Sequence, residues 1–227
     1  MKRIICTSLL LLAAGSPALC QKNKTPISNA SQLDKPTPVS KIENVSTEDA
    51  MARVLREANI AGGIVSVKAC KSDDKATVKH YFDFSGLTLR QALDRITADD
   101  SNYKWAWDGD SILLLPSTGT PQLLQTKINH FDAEDVPFSA ADGVLFNTPE
   151  VKQRMADLKL SEYISDDMIV SIGGGSVTRL PRTSMDNLTF MEALNTIARG
   201  RKNSVWRYVQ FQCQDKGYYS FDWPVRH

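Results

Sequence analysis

The sequence predicts an α+β fold made of two tandem small domains, each with helices packed on short mixed β-sheets. Three observations predict it. Some segments carry apolar residues at helical spacing, while others are β-branched or alternating runs. The two kinds follow one another in short pieces closed by turn signals. A stretch in the middle of the chain also recurs, without a gap, 101 positions further on.

The chain of 227 residues opens with an export pattern. Met1-Lys2-Arg3 is a basic start and Ile4–Ala14 an apolar core. Gly15-Ser16-Pro17 is a helix break, and Ala18-Leu19-Cys20 a small-x-small cleavage site before Gln21. Residues 1–20 therefore read as a signal peptide. Ile4–Ala14 is shorter than the roughly 20 apolar residues a membrane span needs. Lipidation at Cys20 would require a small residue where Leu19 stands. No later segment reads as a transmembrane span, so the mature chain is expected in the periplasm or secreted.

Residues 21–45 are polar, with Pro26, Pro36 and Pro38, and read as a disordered linker. The first unit, 46–118, starts at Ser46-Thr47-Glu48-Asp49, a helix start. Met51, Val54, Leu55 and Ala58 give that helix one apolar face, and Gly62-Gly63 ends it. Ile64, Val65 and Val67 form a strand running to Cys70, and Val78–Phe84 another. Thr88 with Gln91 is a capping box, and Leu89, Ala92, Leu93 and Ile96 face one way behind it. Tyr103–Trp107 and Ile112–Leu115 form a hairpin across Asp108-Gly109-Asp110, closed by Pro116.

The second unit, 119–227, repeats this plan. Leu87–Trp107 aligns with Leu188–Tyr208, with seven of the 21 positions identical. Thr189 with Glu192 repeats the capping box, and Phe190, Ala193, Leu194 and Ile197 the buried face. Trp206 opens the matching hairpin, which turns at Asp215-Lys216-Gly217 and returns through Tyr218–Trp223. In front lie an opening strand, Gln122–Phe131, and helices over Pro137–Phe146 and Glu150–Leu158, the latter with Pro149 at its first position. Met168–Ile172 reads as a strand, and Gly173-Gly174-Gly175 as a turn before Val177–Met185. What recurs is core and cap, which points to a repeated scaffold rather than a repeated active site.

The run Phe82–Ile96, with Leu87-Thr88-Leu89-Arg90-Gln91-Ala92-Leu93 at its centre, followed by Tyr103-Lys104-Trp105 and Ile112–Leu115, resembles the secretin and TonB short N-terminal domain family. Val177–Phe221 is similar. The resemblance implies small periplasmic domains with helices on short mixed sheets, mediating contacts between envelope proteins. It supplies no catalytic residues. The chain carries neither a secretin core nor a barrel up to His227, so channel formation and transport are not implied.

Charge narrows the partner. The chain has 27 Lys+Arg and 26 Asp+Glu; without Lys2 and Arg3, 25 face 26, a net −1. That balance argues against nucleic acid, which selects a basic face. With Cys6 and Cys20 in the signal, Cys70 and Cys213 remain, and an oxidising compartment makes them a candidate disulfide. Closing so long a loop is worth about 4–5 kcal/mol in the chain-entropy model. The alternative is two buried thiols that never meet.

No local signature of catalysis is present: no Gly-x-Ser-x-Gly elbow, and no lysine after Gly173-Gly174-Gly175-Ser176 to make a phosphate loop. No cofactor or metal is predicted. His80 with Asp83 and His130 with Asp132 would form a His/Asp site only if their two strands were neighbours. The aromatics Trp105, Trp107, Trp206 and Trp223 are the candidate binding residues, weighed against a role in the core. These readings predict a non-catalytic exported protein–protein interaction module of the bacterial cell envelope, with another envelope or secreted protein as partner. The alternative is an exported hydrolase whose site lies between the two units.

Overall fold

A computed structural model describes residues 30–70, 78–163, 179–213 and 216–223. Residues 1–20, the polar stretch to Asn29, Met168–Ile172 and the glycines 173–175 lie outside the described residues. The described chain is α+β. It runs α1 (Ala30–Leu33), β1 (Lys41–Val45), α2 (Thr47–Glu57), β2 (Gly62–Ala69), β3 (His80–Asp83), α3 (Leu89–Ala98), β4 (Tyr103–Asp108) and β5 (Ser111–Pro116). It continues through β6 (Lys127–Ala133), β7 (Val136–Pro137), α4 (Phe138–Phe146), α5 (Pro149–Asp157), β8 (Leu160–Glu162), β9 (Arg179–Leu180), β10 (Thr183–Thr189), α6 (Phe190–Gly200), β11 (Val205–Gln212) and β12 (Gly217–Asp222).

Local chemistry sets the helix starts. Ser46 caps α2, its hydroxyl accepting from the Asp49 amide at 3.1 Å. Both predicted capping boxes are formed. The Gln91 amide donates to Thr88 Oγ1 and the Thr88 amide to Gln91 Oε1; Thr189 and Glu192 do the same. Each box satisfies two of the orphan amides of a first helical turn.

Six strands form one mixed sheet in the order β4-β5-β2-β11-β12-β8. β4 is antiparallel to β5, and β5 parallel to β2; β11 is antiparallel to β12, and β12 parallel to β8. The two triplets thus share one pattern of pairing. β2 joins them, parallel to β11 from Gly62↔Val205 to Ala69↔Gln212. With these signs β4, β12 and β8 run one way and β5, β2 and β11 the other, so the second triplet is turned over relative to the first.

Because it is turned over, the sheet carries a core on each face. Ile64, Ile112, Leu114 and Val205 pack with α2, α3 and the two-stranded ribbon of β1 and β3, around Met51, Leu55, Phe82 and Leu93. Val65, Leu113, Leu115, Trp206 and Tyr208 pack on the other side with α4, α6 and the ribbon of β6 and β10, around Phe131, Phe146, Phe190 and Leu194. The unbroken apolar run of β5 follows: a strand covered on both faces has no polar side to alternate. Each such Leu or Ile is worth about 1.5–3 kcal/mol against exposure.

The glycines Gly62 and Gly63 do not end α2. Asn59 does, in the left-handed region at φ 53°, and both glycines belong to β2. A Cβ on Gly63 would fall inside the Trp206 indole, and one on Gly62 would meet the Ile112 carbonyl. They are small because the sheet packs tightly across its midline.

Two expected boundaries move. From Ala30 the stretch read as disordered linker is ordered, with Leu33, Val39 and Ile42 buried. Its backbone is held by bonds from Thr37 N–H to Leu87 O and from Leu89 N–H to Lys35 O. Three scattered apolar residues carry no period, so only the tertiary partners reveal the order. The strand expected from Gln122 starts at Lys127. The residues before it turn, bury Leu123 and Leu124, and accept the first amides of α6 at Thr126 O and Leu124 O.

Polar bonds also join the halves. Buried Asn195 on α6 accepts from Trp206 Nε1–H at 3.0 Å and donates to Asp108 Oδ2 at 2.8 Å. Arg199 reaches Ser111 Oγ at 3.2 Å. Cys70 and Cys213 are joined as a disulfide where β2 and β11 end, with Cα atoms 5.0 Å apart.

Candidate functional site at the open edge of β2

β5 pairs with β2 only from Gly62↔Ile112 to Ile64↔Leu114, whereas β2 runs on to Ala69 beside β11. The reason is chemical. Gly62 N–H donates to Ser204 O and Ile112 N–H donates to Ala61 O. By the alternation of a strand, even-numbered residues of β2 turn their backbone groups to β11 and odd-numbered ones to β5. The next donor in the β5 ladder would be residue 116, which is proline and has no N–H. The chain then leaves the sheet through Ser117, whose amide donates to Asn102 O at 2.8 Å.

A groove of about 1000 Å³ follows this edge. Val67, Lys68 and Ala69 form one wall, and the connection from Pro116 to Gln122 the other; Gln210, Gln212 and Leu158 extend it on the side of the second half. Its base is polar and comes from three elements. Glu48 of α2 accepts from Tyr103 OH at 2.8 Å and from Ser66 Oγ at 3.2 Å, with Lys68 Nζ at 3.7 Å. Burial alone would raise Glu48, but a backbone hydrogen bond, Tyr103, Lys68 and Ser66 outweigh it and hold the carboxyl below its ordinary value. Burial and the adjacent Glu48 carboxylate push the Tyr103 hydroxyl up, so it stays protonated and donates. Thr47 donates to Asp100 Oδ2 at 2.8 Å and lies 3.4 Å from His80 Nε2.

The hydroxyls of this base are already engaged. Ser66 is 1% exposed and Thr47 2%, and each hydroxyl already gives its proton to a carboxylate. Neither is an open nucleophile beside a free base.

The histidines do not converge. His80 lies on β3, which pairs with β1, and stacks on Phe82 at 5.5 Å. His130 lies on β6, which pairs with β10, and meets Asp186 across that ribbon at 2.6 Å. The hydrogen bond that the protonated His130 ring donates to the Asp186 carboxylate raises His130 above the usual imidazole value. Among the described residues, no group of three or more His, Cys, Asp or Glu stands together as metal ligands.

The aromatics separate by role. Trp206 is fully buried and hydrogen-bonded to Asn195, so it is a core residue and cannot meet a partner. Trp105 and Trp107 share one face of β4, half-buried against the first core, and Trp105 Nε1–H donates to Asp94 at 2.7 Å. Trp223 is half-buried, edge-on to Phe221, with the Arg201 guanidinium 5.1 Å from its ring centre. None of the four lines the groove.

Glu48, Tyr103 and the exit at Pro116 line the groove, with Ser66 buried behind Glu48, and no motif links them. Pro116 alone was legible, as the end of an apolar strand. No helix among the described residues is long and apolar enough to cross a membrane. Comparison with known protein families, with curated proteins and with solved structures finds no match in any of the three.

Proposed function

We propose that this chain is a non-catalytic, exported protein–protein interaction module of the bacterial cell envelope. The observation that carries the reading is the edge of β2, which has no strand partner beyond Ile64 on its β5 side among the described residues, together with its groove: an unpaired strand edge offers backbone donors and acceptors to another chain. The disulfide at the end of β2 and β11 supports an oxidising compartment, and the export pattern of residues 1–20 points the same way. The family resemblance of the two recurring stretches, and the shared pairing pattern of the two strand triplets, support a duplicated scaffold in units 46–118 and 119–227. Among the described residues the polar base of the groove is bonded to itself, which favours binding over hydrolysis.

The test is site-specific photo-crosslinking in intact cells. A crosslinker at Thr118 or Gln212, both at the groove, captures a defined envelope protein, while one at the exposed Lys152, outside the groove lining, does not. Absence of any reproducible adduct from both groove positions overturns the reading.

A further inference from the structure

We propose that the open edge of β2 takes up an extended peptide strand, laid beside Val65–Ala69 in the place β5 vacates. Its occupant is a neutral or singly basic segment of another envelope protein, with small apolar side chains at alternate positions. The inference rests on the interaction-module reading and specifies how that module binds.

Hydrogen bonding selects the shape of the ligand. The alternation that directs Gly62 and Cys70 amides to β11 turns the Val65 carbonyl and both backbone groups of Val67 and Ala69 to a side that holds no strand among the described residues. Over five residues, an edge of about 16 Å, the outward groups alternate as only a second strand can match. The opposite edge of the same segment is locked by its ladder to β11 and by the Cys70–Cys213 bridge. The template is therefore rigid before the peptide arrives, which reduces the ordering cost of binding.

Side chains and charge select its composition. Among the described residues the groove lining carries two carboxylates, Glu48 and Asp100, against one ammonium, Lys68. Glu48 is held below its ordinary value and so is ionised at neutral pH. The balance disfavours an acidic peptide and tolerates one basic residue. Val67 and Leu158 on one side of the strand plane, and the ring of Tyr103 on the other, offer modest apolar contact at alternate positions.

Random dodecapeptides displayed on phage are selected on the disulfide-bonded mature chain, and the strongest is titrated into isotopically labelled protein. The expected result is slowed hydrogen exchange at the Val67 and Ala69 amides, with no proline at alternate peptide positions. Val67→Pro removes an amide that faces only the open side, so the ladder to β11 survives it. It weakens the peptide by about tenfold or more, the loss of one hydrogen bond. Thr118→Trp, on the exposed far wall, blocks the groove without touching β2 and gives the same loss if Val67→Pro disturbs the fold. Free exchange at both amides in the complex, full affinity in both variants, or selection of no peptide each overturns strand addition. Those outcomes leave the interaction-module reading to its own crosslinking test. Protection of the same amides by self-association of the chain overturns the proposed partner in favour of a second copy.

Discussion

Replacing both Cys70 and Cys213 by serine removes a bridge that closes 143 residues of chain. In the chain-entropy treatment the stabilisation at 25 °C is the temperature times 2.1 + 1.5R ln n, which for this loop is about 5 kcal/mol, at the top of the usual 2–5 kcal/mol range. The native side should lose little. The two cysteines end strands that already pair over eight residues, and the Cys70 amide bonds to Gln212 O whether or not the sulfurs are joined. The double variant is therefore expected to fold, with an unchanged far-ultraviolet circular dichroism spectrum. Its urea midpoint falls by about 2 M for a slope near 2.5 kcal/mol per molar. Urea melts of the oxidised protein, the reduced protein and the double variant measure it, and intact mass records the two hydrogens gained on reduction. A loss below about 1 kcal/mol would refute the argument, because the unfolded chain would then not be gaining the freedom the bridge denies it. A double variant that melts far below the reduced protein would place the effect in packing instead.

Four further outcomes follow from the packing and the charges. Gly63→Ala puts a methyl into the Trp206 indole and should cost about 1–3 kcal/mol in a urea melt; a neutral effect would show that the sheet midline relaxes freely. Asn195→Leu strands the Trp206 N–H and the Asp108 carboxylate at once, for about 1–3 kcal/mol, and a silent result removes that network from the account. Glu48 titrates below its unfolded value, so its stabilisation is present above about pH 4.3 and is lost as pH falls through the folded value; Tm measured against pH should fall less steeply in acid for Glu48→Gln. His130 titrates above its unfolded value beside Asp186, so what the pair contributes is present below about pH 6.5 and fades as pH rises through the raised value. NMR titration should show His130 moving back down in Asp186→Asn, and an unmoved curve would dissociate the pair.

Features fixed within a few residues were legible from the chain. Thr88 with Gln91, Thr189 with Glu192 and the Asp108-Gly109 turn each encode their geometry locally. Cys70 and Cys213 could be paired because only two cysteines follow the export pattern. The rest needed distant partners. β1 is polar apart from Ile42 and Val45 and is a strand only because β3 lies beside it. The alignment of Trp105 with Trp206 placed both on equivalent strands, yet one is half-buried and the other sealed, because turning over one triplet buries Trp206 against α6 and the Gly63 backbone. The groove was hidden for the same reason: an edge exists only in relation to the strand that is missing from it.

The parallel pairing of β2 with β11 also fixes an order of events. β2 completes its partnership with residues more than 140 positions later in the chain, so this contact weighs heavily on relative contact order and should slow folding. A nascent first half can close β4, β5 and β2 on α2 and α3, but among the described residues of that half nothing pairs with β2 beyond Ile64. Until the last hairpin arrives, that half presents a bare template prone to mispairing with any neighbouring chain. Loss of the C-terminal hairpin should therefore be felt first as aggregation during biogenesis, well before any change in the finished molecule is measured.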